Sequence, residues 1–197
     1  WRRVAIRGMQ PVERMLDVAI GTADLAIMAL RKHKAAHVTG LDLSAEMMAI
    51  GQEKAARAGL QNKIDFIQGS AQEMPFPDES FAAVTCAYGI RNFSELDKGL
   101  QEMHRVLQDG GQLVILEFSY PTNPVIRWVY DVYFSHLMPL IGRIISKDSG
   151  AYTYFLHSVK SFIWGEEMLT HLRDAGFKNA SFRTLTFGIT TLYTATR

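Results

Sequence analysis

The sequence predicts an α/β fold, a doubly wound and mostly parallel sheet, and three observations carry that prediction. Short apolar runs alternate with longer amphipathic ones from Met15 onward, the rhythm of repeated strand and helix units. A small-residue turn, Gly21-Thr22-Ala23-Asp24, follows the first run. Asp42 ends the second run, about 20 residues further on. The 197 residues suit one domain, and 48% hydrophobic against 21% charged residues exclude a disordered or fibrous chain.

Residues 15–20 read as the first strand, and helical spacing follows it, with Leu25, Met28 and Ala29 on one face. Residues 37–41 form the second strand, ending at Asp42. Ser44 caps a helix over 46–58 that is rich in Ala, Met, Lys and Glu and stops at Gly59. Residues 64–68 are the third strand; Met74-Pro75-Phe76-Pro77-Asp78 after it cannot be regular structure. The fourth strand spans 81–88. A helix over 94–107, with Leu96, Leu100, Met103 and Leu107 on one face, ends at Asp109-Gly110-Gly111 and leads into a fifth strand over 112–118. A long aromatic stretch over 125–145 then breaks the rhythm. A helix over 166–175 resumes it, and two last runs, 178–186 and 190–196, lie close enough to pair antiparallel. The chain is therefore expected to be a single domain over 1–197, with a helical insertion over 122–165 after the fifth strand and an antiparallel C-terminal strand. Trp1-Arg2-Arg3-Val4-Ala5-Ile6 reads as the middle of a helix, so a further N-terminal segment is expected before it.

Twenty-one Lys+Arg against twenty Asp+Glu leave a net charge of +1, which supplies no field for phosphate-backbone binding, so nucleic acid is not an expected partner. The single cysteine, Cys86, and the lack of an opening apolar signal segment point to a cytoplasmic chain. The six histidines show no ligand spacing, and no metal site is expected. Cys86 reads as a small buried strand residue, since no histidine is patterned near it.

A small-residue turn at the end of a first strand lets backbone N–H groups approach a ligand. A dinucleotide fingerprint would set its second and third glycines where Ala23 and Ala26 stand, and Asp17 within the strand is unusual for a nicotinamide site. Asp42 is placed to accept both hydroxyls of an adenosine ribose, a feature shared by NAD and S-adenosylmethionine (SAM). Gly69-Ser70-Ala71-Gln72 ends the third strand, where an adenine edge could be read, and Cys86-Ala87-Tyr88-Gly89 ends the fourth. Arg91, just past that strand, is either a salt-bridged structural residue or a cation set against the substrate. Three readings stay open on these residues: a methyltransferase, a nicotinamide-dependent oxidoreductase, and a cofactor-binding domain without activity.

The segments Leu16-Asp17-Val18-Ala19, Gly21-Thr22, Asp24-Leu25-Ala26, Gly40-Leu41-Asp42-Leu43-Ser44, Met74-Pro75-Phe76-Pro77-Asp78, Gly89-Ile90-Arg91-Asn92-Phe93 and Leu116-Glu117-Phe118-Ser119 resemble the UbiE/COQ5 group of class I methyltransferases. Those enzymes C-methylate the quinone ring in menaquinone and ubiquinone biosynthesis. The ending Leu185-Thr186-Phe187-Gly188-Ile189 looks like the menaquinone-pathway members. Departures from the family pattern stand at Ile20, Ala23, Ala82, Ala87, Asp109 and Ile163-Trp164.

The resemblance implies a Rossmann-like class I methyltransferase fold and SAM as cofactor, held at Gly21, Thr22, Asp42, Ser70, Ala71 and Ala87. It implies a polyprenylated demethylquinol as substrate, above all demethylmenaquinol, with Arg91 catalytic. Transfer to a ring carbon needs a quinol oxygen to push electron density to the ortho position and one phenolic proton to leave; Arg91 could lower that phenol's pKa or orient a water acting as base. A water-insoluble quinol also needs a route from the bilayer. Val125, Ile126, Trp128, Val129, Val132, Tyr133, Phe134, Leu137, Met138, Leu140, Ile141 and Ile144, with Arg127, Arg143 and Lys147, could form a membrane-facing cover at the inner face of the membrane. An ordinary helical insertion packed on the sheet edge is the alternative.

Overall fold

The computed structural model describes residues 1–133 and 150–197, with 150–154 and 156 described by backbone alone. Strand β1 (Val12–Val18) follows helix α1 (Arg2–Gly8) and buries Met15, Leu16, Asp17 and Val18 in succession. Such a run, without apolar and polar alternation, marks an interior strand covered on both faces. Helix α2 (Asp24–Arg31) leads to β2 (Ala35–Asp42), then α3 (Ala45–Arg57) and β3 (Ile64–Gln68). Ser44 caps α3 as expected, its hydroxyl accepting from the Met47 amide at 3.2 Å. Strand β4 (Phe81–Ala87), a 3-10 turn (Ile90–Asn92), α4 (Leu96–Val106) and β5 (Leu107–Phe118) come next.

The seven strands lie in the order β3-β2-β1-β4-β5-β7-β6, where β6 is Lys178–Leu185 and β7 is Thr190–Thr196. Strands β1 to β5 pair parallel with one another, and β7 runs antiparallel to both β5 and β6. The chain moves outward from β1 to β3 and returns to place β4 beside β1. That reversal opens a crevice at the carboxyl ends of β1 and β4, where open α/β sheets bind ligands.

Two apolar clusters face the sheet from opposite sides. Ile6, Leu25, Ala29, Leu30, Val38 and Ala55 join α1, α2 and α3 to one face. Leu100, Met103 and Val106 of α4 pack on the other with Met168, Leu169 and Leu172 of a C-terminal helix, Glu166–Asp174. Burial of these side chains at about 25 cal/mol per Å² is the main term holding the helices down.

Among the boundaries that differ from the sequence reading are those of β1, β4 and β5. Strand β1 begins at Val12 and stops at Val18, because Ala19 turns left-handed and leaves the ladder. Strand β4 stops at Ala87 for the same reason at Tyr88. Strand β5 already starts at Leu107 and runs through Asp109-Gly110-Gly111, which a register shift between Phe81 and Ala83 on β4 absorbs. Within the expected insertion, α5 (Pro124–Val132) and α6 (Gly150–Ser161) are described. The expected cover residues Phe134, Leu137, Met138, Leu140, Ile141, Ile144, Arg143 and Lys147 lie outside the described residues. Among the described residues no helix is long and apolar enough to cross a membrane.

Candidate cofactor site and aromatic cluster

The turn after β1 alternates left-handed residues, Ala19 at φ 56°, Gly21 at φ 54° and Ala23 at φ 62°. The left-handed positions of this turn are 19, 21 and 23, and Ala26, where a dinucleotide fingerprint would set its third glycine, is an ordinary buried residue of α2. Each alanine so held costs about 1–2 kcal/mol, and the packed surroundings must impose it. Part of that packing is the contact of Ile20 with Gly40. A Cβ on Gly40 would stand 2.1 Å from Ile20 Cδ1, so the bare strand at Gly40 makes room for Ile20 to turn into the core at 6% exposure.

Above the turn lies a cavity of about 350 Å³ walled by Gly21, Thr22, Asp42, Gly69, Ala71 and Ala87, among others. The Asp42 carboxylate accepts the Gly21 amide on Oδ2 at 2.7 Å and the Ser44 amide on Oδ1 at 2.9 Å. Each oxygen keeps a lone pair for a ligand hydroxyl. Ser70 is not among the lining residues; its Oγ accepts the Gln72 amide at 3.1 Å and shapes the loop. Lys54 donates to Thr22 Oγ1 at 3.1 Å and pairs with Asp24.

Asp17 is a cavity residue to which sequence reasoning gave no role, although its place inside an apolar strand was the available signal. It lines the same cavity and is 2% exposed. The Thr85 hydroxyl donates to its Oδ1 at 2.7 Å, while Oδ2 has no hydrogen-bond partner among the described residues. Burial pushes its pKa up to about 7, offset in part by the Thr85 hydroxyl, the Arg2 charge and the Ala26 amide. Cys86, equally buried beside it, has its thiol pushed well up by burial, as befits an inert core residue.

Arg91 stands outside this cavity, beyond Tyr88. Its Nη1 donates to Glu117 Oε1 and to the Tyr88 carbonyl, both at 2.7 Å. The guanidinium lies 5.5 Å from the Phe118 ring centroid and 5.3 Å from that of Phe155. Tyr88 packs on Phe118 at 4.4 Å, and Trp1 meets both rings edge-on. A larger, more open cavity of about 930 Å³ is lined by Trp1, Tyr88 and Phe118 and by six Lys and Arg side chains, and it shares Arg2, Asp24 and Tyr88 with the first. Tyr88 thus borders both cavities and joins the aromatic cluster with Trp1 and Phe118.

A sequence profile described as the ubiE/COQ5 methyltransferase family matches residues 1–197. The chain is 43% identical over 199 aligned residues to a demethylmenaquinone methyltransferase of Bacteroides fragilis, covering 100% of this chain and 81% of that protein. It is 38% identical to the ubiquinone/menaquinone biosynthesis C-methyltransferase UbiE of Brucella anthropi, covering 98% and 75%. A SAM-dependent methyltransferase structure from Aquifex aeolicus superposes with a TM-score of 0.68 over 98% of this chain and 88% of that one; at 18% identity this likeness concerns the fold alone.

Proposed function

This chain belongs to the ubiE/COQ5 methyltransferase family, and on that premise we propose that it methylates a ring carbon of a polyprenylated demethylquinol, demethylmenaquinol, using SAM. The observation that carries the cofactor reading is the pair of carboxylates in one cavity. Asp42 offers two acceptors to ribose hydroxyls, and Asp17 offers an unused buried Oδ2 to a cation. The ammonium of a methionine moiety satisfies Asp17, whereas a dinucleotide pyrophosphate at the same turn would be repelled by it. Backbone groups of Gly21 and Thr22 can close around the ligand, Gly69 and Ala71 flank the adenine end, and Ala87 leaves space beside Tyr88. Ser70 would act through the loop it shapes.

When bound, SAM supplies an electrophilic methyl group. The chain's own part is to bind and orient the quinol. Tyr88, Phe118 and Phe155 offer faces and edges to an aromatic ring, and the Arg91 guanidinium among them favours the ionised form of a phenolic oxygen. That charge raises the electron density of the ortho carbon. The apolar side of α5, with Val125 66% and Trp128 68% exposed, supports contact with the bilayer that holds the substrate, at the inner face of the membrane.

Calorimetric titration tests the cofactor reading. SAM and S-adenosylhomocysteine bind with one-to-one stoichiometry and NADH does not; NADH binding with neither adenosyl ligand binding overturns it.

A further inference from the structure

Arg91 sits on a short 3-10 turn, Ile90–Asn92, which by itself fixes a long side chain poorly. Glu117 sits on β5, which is paired on both sides by β4 and β7 and is among the most constrained parts of the sheet. The Glu117 side chain is 1% exposed, and its two oxygens accept three N–H groups: Arg91 Nη1 at 2.7 Å, the Phe118 amide at 2.8 Å and the Arg91 amide at 3.3 Å. Tyr88, left-handed at φ 64°, turns its carbonyl to the same Nη1. Phe118 and Phe155 hold the guanidinium from the side.

A buried ion pair is weak ground for stability, because desolvation offsets its attraction. This one also leaves Arg91 Nε buried with no hydrogen-bond partner among the described residues.

We propose that Glu117 is a positioning residue for methyl transfer: with the Tyr88 carbonyl it anchors the Arg91 guanidinium to the rigid sheet beside Phe118 and Phe155, so that its charge is held in place for a quinol bound against those rings. The inference rests on the quinol-methylating reading. Glu117 does not act as the base, since three N–H groups already occupy its oxygens; it acts through Arg91.

A double-mutant cycle tests it, with reduced demethylmenaquinol in detergent micelles, reading kcat, the quinol KM, S-adenosylhomocysteine affinity and the unfolding temperature. Glu117→Gln lowers kcat about 100-fold, as expected for a catalytic group displaced by about 1 Å, while S-adenosylhomocysteine affinity stays within about twofold. In an Arg91→Ala background the same change costs less than about threefold, because the anchored group is already gone. Glu117→Asp keeps the charge on a shorter arm and gives an intermediate kcat; it replaces Glu117→Gln in the cycle if that variant does not fold. Losses that multiply across the two backgrounds, or that follow the unfolding temperature or cofactor affinity, overturn the positioning role alone. A wild type that methylates no quinol overturns the underlying reading and this inference with it.

Discussion

Gly21 donates its amide to Asp42 Oδ2 at 2.7 Å, which ties the turn after β1 to the end of β2 before any ligand arrives. The carboxylate proposed to receive the ribose is also the brace of the loop beneath it. Asp42→Ala removes acceptors for two ligand hydroxyls, each worth about 1.5–3 kcal/mol when charge-assisted, so S-adenosylhomocysteine affinity falls at least tenfold. It also strands the Gly21 and Ser44 amides and lowers the unfolding temperature of the empty protein. Calorimetry and thermal unfolding read the two effects separately; unchanged affinity removes Asp42 from the site.

Asp17 makes cofactor binding pH-dependent. Its folded-state pKa, raised from 3.8 to about 7 by burial, means that the empty protein holds a proton which the unfolded chain has already released. Stability from this group is fully present below pH 4 and is lost as pH rises through 7. Binding of a cationic ammonium runs the other way, because it needs the ionised carboxylate. S-adenosylhomocysteine affinity therefore rises toward pH 8 and weakens toward pH 6, and Asp17→Asn flattens the profile; a wild-type profile flat over that range contradicts the assignment.

Much of this arrangement was legible in the sequence for identifiable reasons. The buried apolar runs of β1 and β4, the Ser44 cap and the carboxylate at the end of β2 are local signals that tertiary structure leaves in place. The left-handed conformations of Ala19 and Ala23 were not legible, because no glycine stands there to announce them. Asp17 was noticed but given no task, since its unpaired oxygen exists only once Thr85 and the surrounding core are assembled. Arg91 presented two roles in sequence, and its ion pair with Glu117 depends on a contact between residues 26 positions apart.

The fit of Ile20 over Gly40 is a further point of test. Gly40→Ala drives a methyl into Ile20 and lowers stability by about 1–3 kcal/mol in urea unfolding. In an Ile20→Ala background the added loss shrinks below about 0.5 kcal/mol, because the space is already vacated. Additive losses contradict the contact.

Arg105 clamps the segment between β3 and β4. Its guanidinium donates to the carbonyls of Met74 and Phe76 and to Glu102 and Asp78, and the Glu102 carboxyl is held below its usual range, chiefly by that hydrogen bond. Asp78 is largely exposed and contributes little. Arg105→Ala costs about 1–3 kcal/mol through the stranded carbonyls and Glu102, and opens residues 70–80 to limited proteolysis. A cleavage pattern identical to wild type contradicts the clamp.

The exposed side of α5 predicts membrane association. The chain co-sediments with anionic liposomes, and Trp128→Glu with Val125→Glu reduces the bound fraction at least fivefold while leaving S-adenosylhomocysteine affinity unchanged. Failure of the wild type to co-sediment, or retention by the double variant, assigns α5 to packing alone.

Transfer of label from methyl-deuterated SAM to reduced demethylmenaquinol, followed by mass spectrometry, tests the central claim most directly. The account predicts a product heavier by one labelled methyl on a ring carbon, formed in proportion to enzyme and lost in Arg91→Ala. Unlabelled quinol after incubation with folded, cofactor-binding wild type contradicts it.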